Sequence, residues 1–380
     1  MSYRLQTARL AWNIFRGLAM CMPRLVLLLA LSVAALPCAA QKIIETETKA
    51  VPPAIGSLGD ALAAPGAMPG DTQATPGDTQ ATLSAVVHIR MKAIEGARSA
   101  ATLGPHREGS GIVIDGRGHI VTIGYVVTEA DTIEITTHEG ATVPATLVGY
   151  DHATGLGLLR ALAPLTGVTP MQLGSADALV VQEPVIVLPH GGRAAASIGY
   201  VVAKRRFTAS WEYLLESALF ISPPTMQWAG AALVNREGKL VGIGSLLLRA
   251  VDATQQIPGN MFVPVDVLKP ILKDLIANGR RAEPARPWLG LGTEELQGHL
   301  FVTNVTRDGP AEKAGIRRGD ILVGVGRDGV SSHEEFYNRI WSMGAAGTEI
   351  PLRLLQGAEL KEFKVQSMDR NKHFQTKPAF

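Results

Sequence analysis

Two short apolar runs decide the fold of this chain: Gly109-Ser110-Gly111-Ile112-Val113-Ile114-Asp115 and, just beyond it, Gly118-His119-Ile120-Val121-Thr122. Both are rich in β-branched residues, and glycines bound them. This combination is typical of short β-strands separated by tight turns.

Runs of the same kind recur at near-regular spacing through residues 83–279, which predicts a sandwich or barrel. This stretch is too long for one small barrel, so we expect two barrels packed together. Its helical pattern covers 265–278, with apolar residues on one face and Gly279 just past its end. The predicted strands are 84–90, 111–114, 119–122, 132–136, 145–149, 156–160, 184–188, 198–203, 232–234 and 240–248.

The charged, proline-bearing segment 280–287 predicts a linker, and a compact module at 288–368 follows it. A tail is predicted at 369–380. The module's predicted strands are 288–292, 300–305, 320–325 and 349–355, with helices at 311–314 and 332–343, the second capped by Ser332.

The order of these motifs resembles the HtrA/Deg family of envelope serine proteases. The two runs quoted above, the stretch 148–151 and the segment Leu173-Gly174-Ser175-Ala176-Asp177 follow the order of that family. In the C-terminal module, residues 309–322 closely resemble a bacterial PDZ domain. The resemblance implies a mostly β chain: a chymotrypsin-like double β-barrel followed by a PDZ domain.

The resemblance also implies a histidine base, an aspartate that orients it and a serine nucleophile, and all three are replaced here. Tyr125 stands at the position of the base, Gly155 at that of the carboxylate, and Ala229 at that of the nucleophile. A phenol with an ordinary pKa near 10 does not accept a proton at neutral pH as imidazole does. Loss of a whole triad costs on the order of 10⁶ in turnover. We therefore expect a pseudoprotease with no catalytic residue.

Neighbouring residues in the sequence are not expected to substitute for the missing base and nucleophile. His119 lies six residues before Tyr125, about 20 Å along a strand. Ser222 precedes Ala229 by seven residues, across a proline-stiffened loop whose path the sequence does not give. Gln227 stands where the family uses glycine to shape the oxyanion hole, so that hole is also expected to be degraded. Trp228 and Met226 are expected to fill the former substrate cleft.

In PDZ domains of this family, an aromatic-x-Gly-apolar stretch offers N–H groups to the terminal carboxylate of a peptide, which adds as a strand. Here that stretch is Trp288-Leu289-Gly290-Leu291. Phe336 and Ile340 lie four apart on the predicted helix and are expected either to line the groove or to be ordinary core residues. The predicted peptide-binding residues are Trp288, Leu289, Gly290, Leu291, Phe336 and Ile340.

No cofactor or metal is predicted. The nine histidines lack metal-ligand spacing, and the two Gly-x-Gly pairs lack the third glycine of a dinucleotide site. The segment 190–199 only partly matches α/β-hydrolase motifs and lacks their βαβ setting. Of 36 basic residues, four lie in 1–40, leaving 32 against 34 acidic ones, so nothing favours nucleic acid.

Residues 1–40 have the order of a secretory signal: basic positions up to Arg24, an apolar run at 25–36, and small residues before Gln41. This predicts a periplasmic or secreted protein, with inner-membrane anchoring if the signal is not cleaved. Both cysteines lie in this segment, so no disulfide is expected beyond it. Residues 41–82 lack aromatics and repeat the heptad 69–75 at 76–82, which predicts a flexible linker.

Three functions remain open from the sequence. The first is an inert HtrA-like protein that binds C-termini or extended segments of envelope proteins through its PDZ domain, as a chaperone, a scaffold or a regulator of an active relative. The second is an active serine endopeptidase, and the third is a structural subunit whose groove is closed. A homo-oligomer is possible, although the aromatic-free 41–82 segment does not favour the family's usual trimer contacts.

Overall fold

A computed structural model describes residues 76–252 and 256–375. The predicted signal at 1–40 and most of the predicted linker lie outside these residues. The first described element, helix α1 (Pro76–Ser84), leads into two barrels. The second heptad of the repeat, at the end of the predicted linker, is thus helical, and Leu83, the first residue of the predicted barrel domain, is buried.

The first barrel is a closed sheet in the order β1-β2-β3-β6-β5-β4. Its interior is filled by fully buried aliphatic side chains such as Ile89, Ile112 and Leu158. Its elements are β1 (Val86–Ala93), α2 (Ala100–Leu103), β2 (His106–Val113), β3 (His119–Ile123), α3 (Gly124–Val127), β4 (Ala130–Thr136), β5 (Thr142–Asp151) and β6 (Leu156–Ala161).

The second barrel is closed in the order β10-β11-β12-β9-β8-β7 and is followed by helix α4 (Lys269–Asn278). Phe220 and Phe262 are fully buried inside it. Its strands are β7 (Pro184–Leu188), β8 (Ser197–Ala209), β9 (Tyr213–Ser222), β10 (Ala232–Val234), β11 (Leu240–Leu248) and β12 (Gly259–Pro264).

The C-terminal domain has a sheet in the order β13-β14-β15-β17-β18, with β16 paired to β15, and two helices. Leu291, Leu352 and Ile340 belong to its own apolar core. Its elements are β13 (Leu291–Leu296), β14 (His299–Val305), α5 (Pro310–Lys313), β15 (Ile321–Val325), β16 (Asp328–Gly329), α6 (His333–Ser342), β17 (Glu349–Gln356) and β18 (Glu359–Gln366).

The prediction of two β-barrels followed by a separate mostly β domain is confirmed. Four described strands were missed: β9, β12, the two-residue β16 and β18. Strand β9 has almost no apolar–polar alternation because most of its residues are buried on both faces, whereas β18 is an edge strand with mostly exposed residues.

The segments predicted as linker and tail are packed onto the barrels. Arg281 forms a two-pronged ion pair with buried Asp151 of β5, with N–O distances of 2.8 and 2.7 Å. In the tail, the N–H of Gln375 donates to Glu129 at 2.9 Å, and the ring of His373 packs on Trp288 at 4.8 Å. The residues after the predicted domain end at 368 thus join the C-terminal domain to the first barrel.

Within the described residues, no helix combines the length and apolar character needed to cross a membrane.

Candidate functional site

The three positions at which the family resemblance places the triad, 125, 155 and 229, lie where the two barrels meet. The N–H of Gly124 donates to the carbonyl oxygen of Gly155 at 2.7 Å, which brings position 155 beside Tyr125. The Tyr125 hydroxyl donates a hydrogen bond to the carbonyl oxygen of Ser245 in β11. The N–H of Gly230 donates to the carbonyl oxygen of Gly244 in the same strand. Tyr125 and Ala229 therefore both neighbour the same stretch of β11.

Tyr125 has a chemically passive environment. Its hydroxyl donates to the Ser245 carbonyl oxygen at 2.8 Å, and burial raises its pKa further above the ordinary value. A phenol that is protonated and already committed as a donor does not serve as a general base at neutral pH. The side chain joins the two barrels instead.

Gly155 occupies a position where a carboxylate would be strained. Its φ of +76° lies in the left-handed region that side chains rarely adopt. A Cβ atom built there would lie 3.3 Å from the ring of Tyr213, whose hydroxyl donates to the carbonyl oxygen of Thr154. The orienting carboxylate is therefore absent, and its place is crowded.

The turn around Ala229 packs directly on strand β2. The carbonyl oxygen of Ala229 accepts the N–H of Ser110 at 2.8 Å. The N–H of Gln227, expected to contribute to an oxyanion hole, donates to Oγ1 of Thr225 at 3.3 Å. This N–H is engaged within the chain, and Ala229 offers only a methyl group, so this turn presents neither a nucleophile nor this oxyanion donor.

Met226 does not fill the former substrate cleft, because it is 72% exposed. The expectation that it does so is wrong. Met226 lies in the loop between β9 and β10.

One hydroxyl and one imidazole do meet beside Ala229, and sequence reasoning missed them as a pair. Oγ of Ser110 lies 3.0 Å from Nδ1 of His190 and accepts the N–H of His190 at 2.9 Å. The two residues are 80 positions apart, so no local pattern relates them. The segment 190–199 is a loop and a strand, as expected for a chance likeness to hydrolase motifs.

The environment of this pair indicates a structural role. Ser110 is fully buried, so a substrate carbonyl has no path to its oxygen. Burial lowers the pKa of His190, and His88, stacked on it at 4.1 Å, lowers it further while Glu108 opposes. A neutral imidazole can accept the Ser110 proton, but attack also requires contact between the oxygen and the substrate.

The two neighbours considered as substitutes lie in other contacts. Nδ1 of His119 is 2.6 Å from the carboxylate of Asp115, and Oγ of Ser222 donates to the carbonyl oxygen of Pro258. Neither side chain is directed at the replaced positions by these bonds.

The predicted carboxylate-binding loop holds a carboxylate supplied by the chain itself. The N–H groups of Leu289, Gly290 and Leu291 donate to the side chain of Glu212 at 3.0, 2.7 and 2.9 Å. Glu212 is buried, and burial raises its pKa while the three N–H groups and the charge of Arg370 oppose that change. Sequence reasoning missed Glu212, because it lies in a hairpin of the second barrel.

The other predicted groove residues are either buried in the apolar core or engaged in a backbone hydrogen bond. Phe336 and Ile340 are fully buried in an apolar cluster that also contains Leu214 of β9. The N–H of Trp288 pairs with the carbonyl oxygen of Met368, so this residue does not donate to the carboxylate. Peptide binding by these residues stays a prediction.

The described residues contain no group of three or more His, Cys, Asp or Glu side chains able to hold a metal ion.

The family model described as a trypsin-like peptidase domain matches residues 109–243, and that described as a PDZ domain matches residues 287–366. The C-terminal domain is thus a PDZ domain, and the prediction of a trypsin-like double barrel followed by a PDZ domain is confirmed.

The chain is also similar to curated serine proteases. It is 25% identical over 274 residues to the "Probable periplasmic serine endoprotease DegP-like" of Chlamydia pneumoniae, which covers 68% of this chain and 54% of that protein. It is 28% identical over 249 residues to the "Serine protease Do-like HtrA" of Lactobacillus helveticus, covering 58% and 59%. The chain spans about half the length of the curated relatives it matches first.

Solved structures to which the chain is similar include an HtrA-type protease AlgW with decapeptide, at 18% identity and a TM-score of 0.48, covering 80% of this chain and 100% of that one. The serine endoprotease from Yersinia pestis matches at 22% identity and a TM-score of 0.47, covering 79% and 99%. By its two matched domains, their order and its curated relatives, the chain is similar to HtrA/DegP-like serine proteases, and it contains a trypsin-like peptidase domain followed by a PDZ domain.

Proposed function

We propose that this HtrA/DegP-like protein is a pseudoprotease that acts by binding rather than by cleavage. The observation that carries the proposal is the environment of positions 125, 155 and 229: a phenol already engaged as a donor at 125, a glycine at 155 whose positive φ disfavours any side chain, and a methyl group at 229. Loss of the triad alone lowers turnover by on the order of 10⁶. The engaged N–H of Gln227 removes a further source of transition-state stabilisation.

The binding partner in this proposal is a C-terminus or extended segment of an envelope protein, held by the PDZ domain. Support comes from the three convergent N–H groups of the 289–291 loop, which already hold a carboxylate. A chaperone, scaffold or regulatory role follows from binding without cleavage, and an active protease relative is one candidate partner. The periplasmic location in the names of several relatives supports an envelope location.

The second candidate function is an active serine endopeptidase. The names of the curated relatives favour it, and the Ser110–His190 contact at 3.0 Å is the one described hydroxyl–imidazole pair beside Ala229. Against it stands the full burial of Ser110. Activity through this pair requires the 229 turn to move off β2.

One experiment separates the two candidates. Purified protein beginning at Gln41 is incubated with unfolded casein and, separately, with a fluorophosphonate probe, alongside a Ser110→Ala variant and an active HtrA-type protease. We expect neither cleavage nor covalent labelling above the buffer control. Time-dependent cleavage and labelling that both disappear in Ser110→Ala would establish the endopeptidase and reject the pseudoprotease.

A further inference from the structure

The hairpin between β8 and β9 extends from the second barrel into the groove of the PDZ domain. We call residues 209–214 the hairpin tip. Strand β13 pairs with β14 along one edge, and on its other edge the N–H of Thr293 donates to the carbonyl oxygen of Ser210 at 3.1 Å. This is the type of main-chain bond by which an extended peptide adds to a PDZ sheet.

The carboxylate of Glu212 takes the place of a peptide's terminal carboxylate. Ser210 lies opposite Thr293, while the Glu212 side chain reaches back to the N–H groups of 289–291. The tip therefore runs antiparallel to β13, with its carboxylate at the loop that precedes the strand. A ligand strand in this groove has the same direction and the same end group.

The remaining contacts of the tip also correspond to those of a bound peptide. The hydroxyl of Tyr337 on α6 donates to the carbonyl oxygen of Ala209 at 2.6 Å and accepts the N–H of Glu212 at 3.2 Å. Leu214 is buried in the apolar cluster that contains Phe336 and Ile340. One aliphatic side chain and one carboxylate thus occupy the apolar and polar parts of the groove together.

The backbone of the tip forms a three-residue hairpin loop, a type of loop that ends in a left-handed residue. Glu212 has a φ of +57°, a left-handed conformation that a residue with a side chain rarely adopts. Outside the groove, Arg206 of the hairpin forms ion pairs with Glu334 of α6 and with Glu216 of β9, and all three side chains are exposed. Release of Glu212 from the 289–291 loop leaves the pairing of β8 with β9 intact.

We propose that the hairpin tip is a built-in competitive ligand of the PDZ groove, and that a partner protein binds by displacing Glu212 with its own terminal carboxylate. The partner class is a chain with a free C-terminus and an aliphatic residue at or near it, the chemistry that Glu212 and Leu214 now supply. Displacement also releases the hairpin tip contacts between the second barrel and the PDZ domain. This inference rests on the proposed binding function.

The test measures peptide affinity with and without the internal competitor. An array of decapeptides with free C-termini, carrying each of the twenty residues at the last position, is probed with the chain from Gln41 onward. The strongest binders are then titrated as fluorescein-labelled peptides by fluorescence anisotropy. The variants are Glu212→Ala, Glu212→Gly and the matched control Glu216→Ala, which removes a carboxylate from the same hairpin without touching the 289–291 loop.

We expect Glu212→Ala to bind at least tenfold more tightly than the unmodified chain, with Glu216→Ala unchanged. Peptides with an amidated C-terminus, which lack the terminal carboxylate, should bind neither Glu212→Ala nor Glu212→Gly. Glu212→Gly guards against misfolding, because glycine accepts the positive φ and still removes the carboxylate. Hydrogen exchange should show residues 209–214 becoming less protected when the peptide is added.

Two results overturn the inference, and they differ in what they say of the proposed function. If the unmodified chain binds peptides and the Glu212 variants bind with the same affinity, the hairpin tip is no competitor, while peptide binding stands. If folded Glu212→Ala and Glu212→Gly bind no peptide on the array, peptide binding by the PDZ domain fails, and the inference fails with it.

Discussion

The hydroxyl of Tyr125 donates a hydrogen bond across the junction of the barrels to the carbonyl oxygen of Ser245, at 2.8 Å. The residue at the position of the family's general base thus holds one barrel to the other. This contact is structural, because a protonated phenol that donates a hydrogen bond is not a base at neutral pH.

Tyr125→Phe should lower the free energy of unfolding by about 1–3 kcal/mol, because it leaves the Ser245 carbonyl oxygen without this donor at a largely buried position. Urea denaturation followed by tryptophan fluorescence measures the change. Tyr200→Phe is the matched control, since the described residues give Tyr200 no side-chain hydrogen bond. Equal effects of the two substitutions would show that the Tyr125–Ser245 bond adds nothing to stability.

Restoring the three family residues should not restore proteolysis. The triple variant Tyr125→His, Gly155→Asp, Ala229→Ser places a side chain at a φ of +76° beside Tyr213 and leaves Gln227 in the turn. We expect no casein cleavage and no fluorophosphonate labelling. Strong labelling of the triple variant would show that the cleft remains built for catalysis.

The single change Gly155→Asp isolates the cost of that crowded position. It should reduce the free energy of unfolding by about 2 kcal/mol or more, from the left-handed backbone and the contact with Tyr213 together. Gly140→Asp is the control, because Gly140 also has a positive φ but a Cβ atom added to it would meet nothing within 4 Å. The difference between their melting temperatures reports the crowding alone, and no difference would contradict it.

Arg281→Gln should be among the most destabilising changes in the segment between the domains. It leaves the buried carboxylate of Asp151 without its cation, a loss of about 3–5 kcal/mol. Arg280→Gln removes a longer contact, 3.8 Å, between an exposed guanidinium and buried Asp369, and should cost less, about 1 kcal/mol. Denaturation midpoints measured at equal ionic strength compare the two, and similar midpoints would argue against a structural role of the Asp151 pair.

Stability should fall as the pH drops below about 6.5, in part through His152. Burial, and then the charge of Arg370, lower the pKa of this imidazole well below its ordinary value. Below its ordinary pKa this imidazole is protonated in the unfolded chain but remains neutral in the folded chain. The free energy of unfolding therefore falls by up to about 1.4 kcal/mol per pH unit from this site. His152→Phe should flatten the dependence between pH 7 and 5, measured by thermal unfolding. His106→Gln controls for loss of a surface imidazole, and an unchanged slope in His152→Phe would refute the assignment.

The strand pattern that recurs through residues 83–279 predicted two barrels, and the resemblance of residues 309–322 to a PDZ domain predicted the domain that follows. Strand β9 escaped because burial on both faces removes the alternation that marks a strand. The relations at the sites were beyond the sequence. Nothing near Glu212 indicates that it binds a loop 77 residues away, and nothing near Ser110 indicates its contact with His190.

The sequence by itself determined which chemical groups this protein has at its inherited positions, because the loss of an imidazole, a carboxylate and a hydroxyl can be read from single residues. Only the tertiary structure decided what replaced them: a bond between barrels at Tyr125, a crowded glycine at 155, and a carboxylate from one domain bound in the groove of another. The physical reason is that the identity of a residue is known at each position by itself. Hydrogen bonds between residues distant in sequence depend on how the closed barrels and the packed domain bring their loops together.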